Sequence, residues 1–189
     1  MIPMIVLTLL VFVSWIFIKN NILRIILGCI STLLLLVLVI GISGNMSNHW
    51  GMEKKEVKSE PKQIYSATPP IVSKKTLIAD KIAEESNSYI MLYKNNENDK
   101  KPRIHFKPNF KSDEQSEVIK KKANYTFDDT NKATVQTTSK YWVWKSDFYK
   151  FLFAFGDDKK ELITQDTQVT LPKDSWHVIS SKEAKSLNK

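Results

Sequence analysis

Hydrophobic positions fall into two unlike regimes along this chain. From Ile2 to Ile18 apolar residues are interrupted only by Pro3, Thr8 and Ser14, and from Ile25 to Ile42 only by Gly28, Ser31, Thr32 and Gly41. A helix rises about 1.5 Å per residue, so crossing the hydrocarbon core of a bilayer takes roughly 17–25 apolar residues. Both runs reach that length, the first narrowly. Lys19-Asn20-Asn21 separates them and Arg24 follows within a turn, which leaves room only for a tight helical hairpin. Helix is the form that satisfies every backbone group internally in lipid. The pattern therefore predicts a transmembrane α-helical hairpin over residues 1–44, with helices about 2–18 and 22–42.

Beyond it the pattern changes. Residues 45–87 read as a juxtamembrane linker. Ser43 to Trp50 leads out of the membrane, with Trp50 as an interface anchor at headgroup level and His49 its neighbour. Residues 53–62 form a solvated spacer of mixed charge, and Pro61, Pro69 and Pro70 bar a continuous helix. Leu77, Ile78 and Ile82 are spaced for a short amphipathic helix over 74–86. From Ser88 onward the pattern is β-like. Tyr89–Tyr93 and Arg103–Lys107 read as a hairpin around a polar loop, with Ile104 and Phe106 on one face of the second strand and His105 on the other. Further strands are predicted at Ala123–Phe127, Thr134–Trp144, Phe148–Phe155, Glu161–Leu171 and Trp176–Ile179. On the strand from Phe148, residues Tyr149, Phe151, Phe153 and Phe155 share one face. Gly156-Asp157-Asp158 reads as a turn, and Ser180 with Glu183 matches a capping box before a short C-terminal helix. The fold class that follows is membrane-anchored: the helical hairpin, then a small β-rich, sandwich- or barrel-like extramembrane domain over 88–189.

Composition sharpens the division. Of the first 44 residues 31 are hydrophobic, with Lys19 and Arg24 the only charges, whereas the remainder carries 26 basic and 20 acidic side chains. No basic residue precedes Lys19 and no A-x-A site follows the first run, which argues against a cleaved signal peptide. Basic residues mark the cytoplasmic side, so the Lys19–Arg24 turn predicts a cytoplasmic turn with both termini outside. Lys54, Lys55, Lys58 and Lys62 pull the other way, weakened by ten uncharged residues after Ile42. The β-rich domain is expected to be extracytoplasmic.

Candidate chemistry is sparse. One cysteine, Cys29, excludes an intrachain disulfide framework or a CxxC site. His49, His105 and His177 are remote from one another in sequence, so neither a metal nor any other cofactor is expected. Five glycines include no phosphate-binding loop, and nothing resembles a nucleophile elbow. A Ser–His–acid triad assembled from distant positions stays open, and an enzyme acting on wall or lipid-linked substrate would use His105 or His177 as its base. Asp128-Asp129 and Asp157-Asp158 sit where turns favour aspartate. The expectation is a non-enzymatic, membrane-anchored binding or accessory module at the membrane–cell wall interface, or alternatively a small accessory subunit of a larger membrane complex, with no catalytic, cofactor or metal residues. The aromatic stretch supplies the candidate contact surface: Tyr141, Trp142, Trp144, Tyr149, Phe151 and Phe153. Lys120, Lys121 and Lys122 are the candidate polyanion contacts, for headgroups or an anionic wall polymer. Only two arginines are present, so nucleic acid is not an expected partner. The expected partners are the lipid bilayer and an anionic wall polymer or a membrane protein.

Several features together resemble an uncharacterised family of small two-helix membrane proteins from lactic-acid-type Gram-positive bacteria. They are the helical hairpin with its basic turn, the Asn48-His49-Trp50-Gly51-Met52 exit, Tyr89 to Lys94, the aromatic stretch Tyr141 to Phe155, and Ser175-Trp176 with the Ser-Lys-Glu-Ala-Lys helix that follows. The resemblance spans nearly the whole chain and implies a membrane location. It implies no activity and no site residues.

Overall fold

The computed structural model describes residues 2–68, 74–82, 87–107, 120–154 and 160–187. The expected Gly156-Asp157-Asp158 turn lies outside them, as does Phe155. The chain divides into two compact units, one of Met1–Lys55 with Tyr141–Glu161, the other of Glu56–Lys140 with Leu162–Lys189.

In the first unit, α1 (Ile2–Ile16) ends two residues short of the expected Ile18 and, at 15 residues, below the length of a membrane span, while α2 (Asn21–Asn48) carries the second apolar run. Asn20 caps α2: its Oδ1 accepts from the backbone N–H groups of Ile22 and Leu23 at 3.0 and 3.3 Å. The Trp15 indole of α1 lies on Gly28 of α2, where a Cβ would stand 2.7 Å from the ring. Thr8, Ser14, Ser31 and Thr32 each donate a side-chain hydroxyl to a carbonyl three or four residues back in the same helix. Among the described residues, α2 is the helix long and apolar enough to cross a membrane. It runs six residues past the expected end at Ile42, so Ser43–Asn48, expected to lead out of the membrane, continue the helix. The stretch Phe148–Phe155, expected as a strand, begins instead with the helix α3 (Asp147–Phe153), capped by Ser146, whose Oγ accepts from the Tyr149 N–H.

The second unit is β-rich. Its strands are β1 (Met52–Lys58), which enters from the first unit, β2 (Lys62–Gln63), β3 (Lys75–Lys81), β4 (Tyr89–Tyr93), β5 (Arg103–His105), β6 (Lys121–Asp128), β7 (Thr134–Trp144), β8 (Glu161–Pro172) and β9 (Trp176–Ile179). They form a five-stranded sheet in the order β1-β7-β8-β6, with β2 also on β7, and a four-stranded sheet in the order β5-β4-β3-β9. Both sheets are mixed: β6 runs parallel to β8 and β3 parallel to β9, while β3–β4, β4–β5 and β2–β7 are antiparallel. Leu77, Met91, Tyr93 and Trp176 from one sheet meet Ala123, Val169 and Leu171 from the other in a single core. The opposite face of the four-stranded sheet is covered by α4 (Ser181–Leu187), with Ile78 against Ala184. The expected capping box is present: the Ser180 N–H donates to Glu183 Oε2 at 2.8 Å and the Glu183 N–H to Ser180 Oγ at 3.2 Å. Asp80 ties the helix to β3, accepting from the backbone N–H and the hydroxyl of Ser181.

Three expectations change in the region 45–107. The charged spacer 53–62 is largely strand β1. The short helix expected over 74–86 is strand β3, where Thr76, Leu77 and Ile78 are buried in succession because β3 is an inner strand covered on both faces. On β5 the faces are reversed. Ile104 is 57% exposed, whereas His105 is half-buried with its ring stacked on Tyr93 at 3.8 Å. Phe106 takes a left-handed backbone, φ 60°, which ends the alternation and returns its ring to the core.

Candidate functional site

The aromatic residues gather around the C-terminal end of α2, and local backbone geometry explains why. His49 closes the helix in the left-handed region (φ 56°, ψ 36°), its N–H donating to Asn45 O at 2.9 Å while the Trp50 N–H reaches Gly44 O at 3.4 Å. These bonds satisfy carbonyls that a helix end leaves open. The Asn45 side-chain amide then donates to Trp50 O at 2.7 Å, which folds the chain back. Trp50 lands on Gly44, where a Cβ would come within 2.3 Å of the indole. Gly51 is demanded twice over. Its φ of 78° suits glycine, and a Cβ there would lie 2.8 Å from the Tyr149 ring.

A small polar–aromatic stack sits beside this turn. The His49 imidazole lies on the Trp142 indole at 4.3 Å with the planes 11° apart, and its Nε2 is 3.2 Å from Glu161 Oε2. Lys54 Nζ stands 5.2 Å from the centre of the same indole, within cation–π range. The next residues are carried by α3. Tyr149 and Phe153, one turn apart, stack at 6.1 Å on one face, and the Phe153 ring rests on Gly41 of α2. Phe148 and Phe151 project from another face, 65% and 56% exposed.

Six residues were expected to form one contact surface, and the structure sorts them. Tyr141, Trp142 and Trp144 are half-buried on β7, Tyr149 and Phe151 are exposed, and Phe153, at 8% exposure, is packed inside. Phe153 is therefore a packing residue and not part of that surface. Trp50 is exposed at the end of α2. Lys121 and Lys122 are exposed at the start of β6, with Lys120 half-buried just before it. Neighbouring residues on a strand point to opposite faces, so Lys121 and Lys122 do not converge. Glu161 and Lys54 were missed. Their only sequence signal is charge, and long-range pairing is what puts Lys54 over Trp142 and Glu161 against His49.

The histidines are far apart in role. His105 sits on β5 and His177 on β9, the two edges of one sheet and roughly 14 Å apart at ordinary strand spacing. His177 Nε2 is 3.2 Å from the Thr76 hydroxyl. Burial is the main influence that pushes His105 below the usual imidazole range; a backbone hydrogen bond at Tyr93 opposes it and Arg103 reinforces it. Its buried Nε2 has no hydrogen-bond partner among the described residues. Burial likewise pushes the Tyr93 phenol up to about 12, so the ring beneath His105 stays neutral.

An apolar N-terminal helix long enough to cross a membrane, joined to a β-rich domain of two mixed sheets, defines the class of protein. The chain belongs to the family described as Domain of unknown function (DUF4811), whose model matches residues 20–187, from the cap of α2 through α4. Neither a curated protein nor a solved structure matches the chain.

Proposed function

We propose that this protein is an integral membrane protein held by α1 and α2 as a two-span hairpin. Its β-rich domain works on the extracytoplasmic side as a non-enzymatic binding or accessory module at the boundary between membrane and cell wall. The observation that carries the reading is the outer surface of the two helices: Ile25, Leu33, Val37 and Ile40 are each more than half exposed, as are Ile2, Leu9 and Phe12. Soluble proteins rarely leave contiguous apolar patches beyond a few hundred Å² facing water. The internally bonded hydroxyls of Thr8, Ser14, Ser31 and Thr32 add support, since lipid offers those groups no other partner. Lys19 between the helices and Arg24 in the first turn of α2 favour a cytoplasmic turn and external termini.

A subunit role in a larger membrane complex is the alternative. The Gly28 notch that would suit a partner helix is filled by the chain's own Trp15, which weighs against it. Carbonate extraction tests membrane integration directly, and release of the protein into the supernatant would remove the anchor. For sidedness, a single cysteine replaces exposed Lys132 in a Cys29→Ser background, and intact cells are treated with a membrane-impermeant thiol reagent. Labelling is expected. Labelling only after lysis would put the domain in the cytoplasm and end the wall-facing reading.

A further inference from the structure

We infer that α3 is a second membrane contact, an interfacial helix whose Phe148 and Phe151 side chains enter the acyl layer beside the outer end of α2. The inference rests on the membrane-anchor reading and adds to it a second element, in the aromatic segment, that touches lipid. Depth is the first argument. Phe153 lies on Gly41, in the last turn of the apolar run that ends at Ile42, so α3 sits level with the end of the hydrocarbon-spanning stretch and not beyond it. Helix α1 reaches the same level. Trp15 rests on Gly28, and thirteen residues of equal rise carry α1 back to Ile2 and α2 forward to Gly41. Both α1 and α2 indeed touch α3.

The faces of α3 supply the second argument. At 100° per residue, Tyr149 and Phe153 share the face packed on Gly51 and Gly41, Phe148 and Phe151 share an outward face about 150° away, and Asp147 and Lys150 occupy the remaining side. A helix divided in this way suits the plane of a bilayer interface, its polar side in the headgroups and its apolar side in the acyl chains. The surroundings agree with that depth. Trp50 and Tyr149 are the residue types that settle at headgroup level, and exposed Lys54 and Lys145 can reach lipid phosphates from there. A protein partner would have to reach the two phenylalanines at a depth where lipid already stands.

The test uses the full-length chain in vesicles of phosphatidylcholine and phosphatidylglycerol. In a Cys29→Ser background, single cysteines at Phe151→Cys, Phe148→Cys, Val37→Cys and Lys132→Cys carry an environment-sensitive fluorophore, with lipids brominated at shallow or deep acyl positions as quenchers. The expected result is blue-shifted emission at 151 and 148, quenched most by shallow bromines. Position 37 should be quenched most by deep bromines, and position 132 should stay water-like and unquenched. Water-like, unquenched emission at both 148 and 151 with position 37 still quenched would overturn the role of α3 and leave the anchor standing. No quenching at 37 would overturn the anchor, and this inference with it.

Discussion

The reversed faces of β5 make a quantitative comparison with β3. Leu77 on β3 is fully buried between β4 and β9, whereas Ile104 on β5 is 57% exposed. Replacing Leu77 by alanine removes three carbon groups at about 0.8 kcal/mol each, roughly 2.4 kcal/mol of transfer free energy. A cavity of about 70 Å³ left unfilled adds about 1.7 kcal/mol at about 24 cal/mol per Å³, bringing the loss near 4 kcal/mol. Ile104→Ala removes groups that are less than half buried and leaves no enclosed cavity, so its cost should be about 1 kcal/mol at most. The assay is urea titration of the full-length protein in mild detergent, with the folded fraction read by pulse proteolysis. At a slope of about 1.5 kcal/mol per molar urea, the midpoint should fall by roughly 2.5 M for Leu77→Ala and by less than about 0.7 M for Ile104→Ala. Equal shifts would refute the reasoning. They would mean that Ile104 faces the core after all and that His105 is the residue in water.

His105 gives the matching pH prediction. Its imidazole is held below the usual range, so the unfolded chain takes up a proton before the folded one does. Stability should therefore be full above about pH 6.5 and fall as the pH drops through that value and toward the lower folded-state pKa, and His105→Phe should flatten this part of the profile. Gly51→Ala should cost about 1–3 kcal/mol, measured as a lowered thermal midpoint, from both its φ of 78° and its collision with Tyr149. Adding Tyr149→Ala should restore only the collision part, and full rescue would mean that the backbone is not strained. Ser180→Ala should cost roughly 0.5–2 kcal/mol by removing the cap of α4. The Glu183 carboxyl is held below its ordinary range chiefly by the Ser180 N–H, so its contribution is present above about pH 4.5 and lost as the pH falls further. Hydrogen exchange over Ser181–Leu187 reads both effects, and unchanged protection in Ser180→Ala would dispose of the cap.

Elements whose evidence is local were readable from the sequence. The apolar run of α2, the β-branched and aromatic run Thr134–Trp144, and the Ser180–Glu183 box fall where the pattern puts them, the middle one residue for residue. Elements whose identity depends on neighbours were not. Leu77 and Ile78 look like one stripe of a short helix when read at helical spacing, but each faces a different layer, Leu77 the shared core and Ile78 the α4 side. Only the presence of β4, β9 and α4 makes two buried faces the correct reading. The charged segment that becomes β1 carries almost no apolar signal. Its strand conformation comes from pairing with β7, and nothing within Met52–Lys58 announces it.

The aromatic segment shows the same limit most clearly and connects it to function. Phe148 to Phe155 is apolar on nearly every side, and a segment of that kind has no periodicity to distinguish strand from helix. Aromatic content favours strand as a weak prior. Two contacts outweigh it. Ser146 caps the Tyr149 N–H, and a one-turn spacing is what lets Tyr149 lie on Gly51 while Phe153 lies on Gly41. On a strand those two rings would share a face but stand about 13 Å apart along it, against about 6 Å along a helix. The glycines that accept the rings are ordinary residues until their partners are known, which is why neither the helix nor its outward Phe148–Phe151 face was legible beforehand. Gly41→Leu should therefore displace Phe153 and release α3 from α2 without shortening the apolar run. Paired spin labels on α2 and α3 would report the separation, and an unchanged distance would mean that something other than this contact seats the helix.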